Sequence, residues 1–304
     1  MVFHAFTRKT KVSKPISCYL DVDNQRFAIS FFDKNEYHVV EQASRQIGNL
    51  LSSADASEVA VVCPLGSYKN TTLEKTDIPE DEWLDTLRWE FLNGSEEELI
   101  ADDVLVDYIE LPLLGQHEKN MVAAFMLPEP LMLEMDRVIS DAKAALSSVS
   151  LPEIAISALL SKSDTESACA GLVIAPTGSF LLITFKGEIY LTRKLKSDLS
   201  LLESMTNDLV VNALIKECLR SINFFMAKFS RATLSQFFYF ADETFRPAMS
   251  ALEGPLSEAF NLSVLAYDFN RIAVSTAPLT LGGQLALGMA VLQHEHTVKE
   301  TSRL

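Results

Sequence analysis

The chain has 304 residues, 48% hydrophobic and 22% charged, an ordinary globular composition with room for two domains or one bilobed unit. Its 26 Lys and Arg against 41 Asp and Glu leave a formal charge of −15, which repels phosphate backbones and argues against nucleic acid as a partner. Four widely spaced cysteines, Cys18, Cys63, Cys169 and Cys218, form no CxxC pair and read as reduced core residues of a cytoplasmic protein.

Residues 1–15 form a basic tail with Arg8, Lys9, Lys11 and Lys14, and no acid precedes Asp21. Such a tail is either a solvated terminus or a peripheral contact with an anionic leaflet. It lacks the apolar stretch of a secretion signal. From Pro15 the pattern has a period of two: Cys18, Leu20 and Val22 on one face, then Phe27, Ile29 and Phe31 after a turn at Asp23-Asn24. With "EYHVVE" beyond Asp33-Lys34-Asn35, this predicts a three-stranded antiparallel meander. A helix around Ile47, Leu50 and Leu51 follows, and then "EVAVVCP", an apolar run of buried-strand length.

A separate module is expected at about 61–128. Asp77-Ile78-Pro79 introduces a helix with Trp83, Leu84, Leu87, Phe91 and Leu92 on one side. Glu80, Asp81 and Glu82 stand at its positive end, and Asn93-Gly94 stops it. "DDVLVDYIELP" and "NMVAAFMLP" read as strands, and Pro130 to Leu146 as an amphipathic helix. Trp83 shares the apolar stripe and belongs to a core. Trp89 falls off it, beside Asp85 and Glu82, and is the better candidate for partner contact. Glu96, Glu97 and Glu98 make a solvated acidic turn or a ridge facing a basic juxtamembrane tail.

From Ala170 the order recurs. "GLVIA" meets a turn at Pro176-Thr177-Gly178, "SFLLITF" meets Lys186-Gly187, and "EIYLTRKL" completes a second meander. A helical stretch from about Asp198 to Phe229 leads to the strand "QFFYFA". The repetition predicts an α/β protein of two βββαβ lobes, at 16–165 and 166–293, around a cleft, the usual place for a ligand. Ala273 to Leu292 carries no charge, but Pro278 and Gly282-Gly283 interrupt it, so a loop and a buried C-terminal helix are expected instead of a membrane span. The remainder, 294–304, reads as a solvated tail, and His294-Glu295-His296 within it as no metal site. Neither a Walker loop nor a GxGxxG fingerprint is present. His4, His38 and His117 have no nucleophile arrangement around them, so a catalytic triad is not indicated.

"EKTDIPEDEWLDTLRWEF", "DDVLVDYIELP" and, at Glu217 to Phe225, "ECLRSINFF" resemble the PilM-like cytoplasmic proteins of type IV pilus assembly. Within them the likeness is nearest to the mannose-sensitive haemagglutinin (MSHA) branch typified by MshI, and then to the cytoplasmic part of the secretion protein GspL. The resemblance implies an actin-like ATPase (ribonuclease H-like) fold with an extra subdomain inserted in the first lobe. It also implies a scaffold of the pilus machine, cytoplasmic and peripheral to the inner membrane. Such a scaffold holds the cytoplasmic N-terminal tail of a bitopic PilN-like protein and links it to the motor ATPase.

ATP-binding relatives carry an Asp followed by small residues and Gly at the first turn, where backbone amides approach phosphates closely. The matching stretch here is Asp21-Val22-Asp23-Asn24-Gln25, without the glycine. Thr177 and Gly178 remain at the second turn, and Gly282 and Gly283 near the C-terminus, while Asp242-Glu243 replaces the Gly-Gly expected after "QFFYFA". These residues form a degenerate nucleotide site. The expectation is therefore a protein without catalysis, cofactor or metal, the alternative being a switch or slow ATPase that binds ATP with Mg²⁺.

Overall fold

The computed structural model describes residues 16–21, 26–43, 49, 51, 57–93, 103–113, 119–163, 166–196, 208–229, 233–275 and 278–301. Strands β1 (Ile16–Asp21), β2 (Arg26–Asp33), β3 (Glu36–Ala43) and β4 (Glu58–Val62) open the chain. The inserted module follows as β5 (Lys69–Glu74), α1 (Glu80–Asn93), β6 (Val104–Glu110) and β7 (Met121–Pro128). Next come α2 (Glu129–Asp141), β8 (Ala145–Ser150) and α3 (Pro152–Leu160). The second half contributes β9 (Ala168–Ala175), β10 (Gly178–Phe185), β11 (Glu188–Lys194), α4 (Asp208–Lys228), β12 (Leu234–Ala241), α5 (Arg246–Phe260) and β13 (Val264–Ala266). A short β14 (Ala273–Val274) and the long α6 (Leu281–Thr301) end it.

The two halves build the same sheet. The first is ordered β3-β2-β1-β4-β8 and the second β11-β10-β9-β12-β13. In each, the first three strands form an antiparallel meander and the last two add in parallel. Even one turn is repeated. Lys34-Asn35 between β2 and β3 and Lys186-Gly187 between β10 and β11 all have positive φ, the two-residue turn whose twist suits a hairpin.

The module is a separate antiparallel sheet in the order β5-β7-β6. Period two lets β7 face two cores at once. Val122, Ala124 and Met126 pack with Trp83, Leu87 and Phe91 of α1. Ala123, Phe125 and Leu127 turn into the main core, which reaches into both lobes.

Several boundaries differ from the sequence reading. The helix expected to Leu146 stops at Asp141, because Lys143 takes a left-handed φ of 63° and the chain leaves as β8, which pairs in parallel with β4. Of the helix expected around Ile47, Leu50 and Leu51, only Asn49 and Leu51 are described, both helical and Leu51 buried in the main core, while the stretch 198–207 lies outside the described residues. The largest correction concerns the chain end. Instead of a tail from 294, α6 continues to Thr301. His294 stacks on Phe32 with ring centroids 3.8 Å apart, its Nδ1 lies 3.0 Å from the Tyr37 hydroxyl, and Glu295 pairs with Lys162. Both β14 and α6 return to the first sheet, β14 pairing with β3 and α6 packing on β1, β2 and β3.

Helix α6 needs walls on more than one side, since Leu285, Ala286, Leu287, Ala290 and Val291 are all buried. Its other wall is α3, and Gly288 makes the approach possible: a Cβ there would fall 2.2 Å from the Ala155 carbonyl oxygen. Gly288→Ala would stabilise an open helix by about 1 kcal/mol. Here it is expected to destabilise the protein by about 2 kcal/mol or more through overpacking. Urea unfolding of the variant tests this, and an unchanged or raised midpoint would refute the close contact.

Candidate functional site

The candidate nucleotide residues fall at the first hairpin of each lobe and at the start of α6. Strand β1 ends at Asp21, whose backbone pairs with Arg26, while Asp23 and Asn24 lie outside the described residues. In the second lobe Ala175 pairs with Gly178, leaving Pro176-Thr177 as an exposed two-residue loop. Gly66, in the loop after β4, has φ +85°, and a Cβ on it would fall 2.5 Å from the Thr177 carbonyl oxygen. The first lobe's backbone thus abuts the second lobe's turn, and only glycine suits both the angle and the approach.

Gly282 and Gly283 lie in the first turn of α6, against β1 and β3. A Cβ on Gly282 would fall 2.6 Å from the Tyr19 ring, and one on Gly283 1.8 Å from Glu41 Oε1. Thr280 precedes the helix and caps it, its hydroxyl accepting from the Gly283 amide at 3.1 Å. The Thr280 amide and hydroxyl in turn donate to Glu41 Oε1 at 2.9 and 2.8 Å. A protein carboxylate therefore sits at the positive helix end, the place where an anion is otherwise bound. Burial raises the Glu41 carboxyl above its ordinary value, the Thr280 hydrogen bonds oppose this, and nearby Glu243 adds to it while Arg246 pulls it back.

Beside this helix end lies a pocket of about 430 Å³ between the ends of β12 and β13, lined by Tyr239, Arg246, Tyr267, Asp268, Leu279 and Gln284 among others. Gln284 is 4% exposed. Its Nε2 donates to the Leu279 carbonyl at 3.1 Å, while its Oε1 has no partner among the described residues. Arg246 Nη2 donates to the same carbonyl at 2.6 Å. Asp242, at the place of the expected glycine pair, closes a tight turn by accepting from the Thr244 amide and hydroxyl at 3.2 and 2.9 Å.

On the module, α1 buries Trp83 and leaves Trp89 61% exposed. Glu82 and Asp85 are exposed on the same helix, and Asp85 pairs with Arg88. Glu96, Glu97 and Glu98 lie outside the described residues. The four cysteines are free and buried, and burial pushes the thiols of Cys18, Cys63 and Cys218 up, away from reactive thiolate. Among the described residues no group of His, Cys, Asp and Glu is placed to hold a metal ion.

Like Glu41 and Gln284, Glu153 escaped the sequence reading. Glu153 opens α3 and is fully buried, accepting from the Tyr68 hydroxyl at 2.6 Å and from Asn70 Nδ2 at 3.1 Å. These bonds tie the segment entering β5 to the helix between the lobes. A single acid in "LPEIAISALL" was the available signal. Burial raises its carboxyl to about 7, against the partial compensation of those two donors.

No family model matches the sequence. No curated protein matches it either. The doubled sheet, the cleft and the inserted module define a protein of actin-like ATPase fold. Within that fold the chain is similar to the solved PilM-PilN type IV pilus biogenesis complex, at 12% identity over 92% of this chain and 98% of that one, with a TM-score of 0.66. It is also similar to a Bacteroides thetaiotaomicron protein of actin-like ATPase fold and unknown function, at 10% identity over 93% and 96%, with a TM-score of 0.52. The cytoplasmic domain of EpsL, an inner-membrane component of the type II secretion system of Vibrio cholerae, aligns at 10% identity over 94% and 95%, with a TM-score of 0.49.

Glu153 makes stability depend on pH with a definite sign. Its folded value of about 7 exceeds the ordinary 4.5, so between about pH 5 and 7 the folded state holds a proton that the unfolded chain has lost. Its contribution is largest at the acid end and falls as pH rises, by at most about 3 kcal/mol for a shift of this size. Glu153→Gln is expected to flatten the stability profile between pH 5 and 7, measured by urea unfolding at intervals of one pH unit. Parallel profiles for the two proteins would remove Glu153 as the source.

Proposed function

We propose that this chain is a PilM-like component of a type IV pilus or related secretion machine, acting as a scaffold without catalysis. It holds the cytoplasmic N-terminal tail of a PilN-like inner-membrane protein and connects it to the motor ATPase. The observation that carries this reading is the likeness to the PilM-PilN complex along almost the whole of both chains. The finer assignment, to the MSHA branch and the MshI kind, rests on the sequence segments quoted above. Its place is the cytoplasmic face of the inner membrane, reached through the partner or the basic N-terminal tail. Among the described residues no helix is long and apolar enough to cross a membrane.

The cleft supports the absence of catalysis. A triphosphate entering it would meet Glu41 and Glu243, and the cation beside them, Arg246, already donates to a backbone carbonyl. For the docking surface the proposal names Trp89, Asp85 and Glu82, an exposed indole among acids that suits a basic, partly apolar tail. A fluorescent peptide of the partner's N-terminal cytoplasmic tail should bind with micromolar affinity, and Trp89→Ala should weaken it at least about tenfold. No binding at high micromolar peptide would count against the scaffold.

One observation favours a second reading, an ATP-binding switch. The 430 Å³ pocket presents the unpartnered Gln284 Oε1, an acceptor that an exocyclic amine would satisfy. Calorimetric titration with Mg-ATP separates the two readings. The scaffold reading expects no saturable heat, whereas a binding isotherm abolished by Asp21→Ala would replace it with the switch.

A further inference from the structure

A second opening lies between the module and the second lobe. It has a volume of about 670 Å³, and its walls are β5 and β11. Each of these is the terminal strand of its sheet. A terminal strand turns alternate backbone N–H and C=O groups away from its only neighbour, leaving a template for one more strand. Five consecutive residues of β11, Tyr190 to Lys194, line the groove, which at about 3.3 Å per residue is some 16 Å of strand. Within that run the Thr192 hydroxyl is buried without a partner among the described residues.

The charge of the groove is opposite to that of the protein. Its lining includes Lys119, Arg193, Lys194 and Lys228 and no acid, in a chain of net charge −15. Lys119 pairs with Glu74 and Arg193 donates to the Ser221 hydroxyl at 3.2 Å. The Lys194 and Lys228 side chains are exposed at the surface. Apolar surface is offered between these cations by Leu113, 54% exposed, and Phe224, 46% exposed. A membrane surface is flat and cannot reach the backbone edge at the bottom of a groove. An extended peptide can.

We infer that this groove binds an acidic, extended peptide segment of a partner protein, which adds to β11 as a further strand. Backbone pairing to β11 supplies affinity, the cations select acidic side chains, and Leu113 and Phe224 receive the alternate apolar ones. This site is independent of the pilus reading. It is also separate in chemistry from the acidic face around Trp89, which suits a basic tail.

The probe is an eight-residue peptide of alternating Glu and Val, blocked at both ends and labelled with a fluorophore, added to the full chain and followed by anisotropy. The expected result is micromolar binding that weakens with salt, no binding of the Lys and Val counterpart, and loss on N-methylation of alternate peptide amides. The double variant Lys194→Glu, Lys228→Glu should weaken binding at least about tenfold while the protein keeps its folded circular dichroism spectrum, both side chains being exposed. Absence of binding up to millimolar peptide would overturn the proposal, leaving the cations as guards against edge-to-edge pairing. Equal binding of the Lys peptide, or binding unaffected by the double variant, would also overturn it. So would phosphatidylserine vesicles binding the wild type and not the double variant while the Glu peptide fails.

Discussion

Helix α3 has no wet side, and most of the architecture answers to that. All nine of its residues are buried, so it must be walled by apolar surface in every direction. Helix α6 supplies one wall, close enough that Gly288 meets the Ala155 carbonyl. The second sheet supplies another, with Gly171 lying against Leu160 and Ile156. As a result the main core runs without interruption from Ile16 of β1 to Phe240 of β12. The lobes share an interior, and close-packed interiors resist gradual sliding. Glu153 and Ser157 are its polar residues, and Glu153 is a buried carboxyl at the head of this helix whose hydrogen bonds reach Tyr68 and Asn70 ahead of and within β5.

The start of α6 shows how a helix end can be occupied by the protein itself. Strands β1 and β9 each pair with the next strand of the chain in an antiparallel hairpin, and α6 begins beside β1 and β3. What fills that helix end is Glu41, held by Thr280. The two glycines that follow serve contact with Tyr19 and Glu41 themselves. An arrangement of this kind satisfies internally the donors that an incoming anion would use.

The meanders were legible because period-two alternation and two-residue turns are local signals, and Lys34-Asn35 and Lys186-Gly187 sit where the sequence places them. Strand β8 was not legible. "ALSSVS" has three serines and no clear alternation, and it becomes a strand by pairing with β4, far earlier in the chain, as in Glu58 with Ala145. The same holds for the candidate site. Glu153, Glu41 and Gln284 each owe their character to partners or neighbours distant in the chain, and spacing cannot reveal burial or a missing partner. His294 was misread for the opposite reason: a polar run looks like a solvated end until Phe32 and Tyr37 are seen beneath it. Trp83 and Trp89 were separable, since helical phase alone distinguishes the inner from the outer face.

The return of β14 and α6 to the first sheet has a consequence for biosynthesis. As the nascent chain leaves the ribosome, β1 to β4 emerge first, yet the helix that covers them is made last. The second sheet, contiguous between Ala168 and Ala266, gains its strands one after another without so long a gap. Translation therefore produces an interval in which the early strands hold an uncovered apolar face, a form of exposure that chaperones recognise.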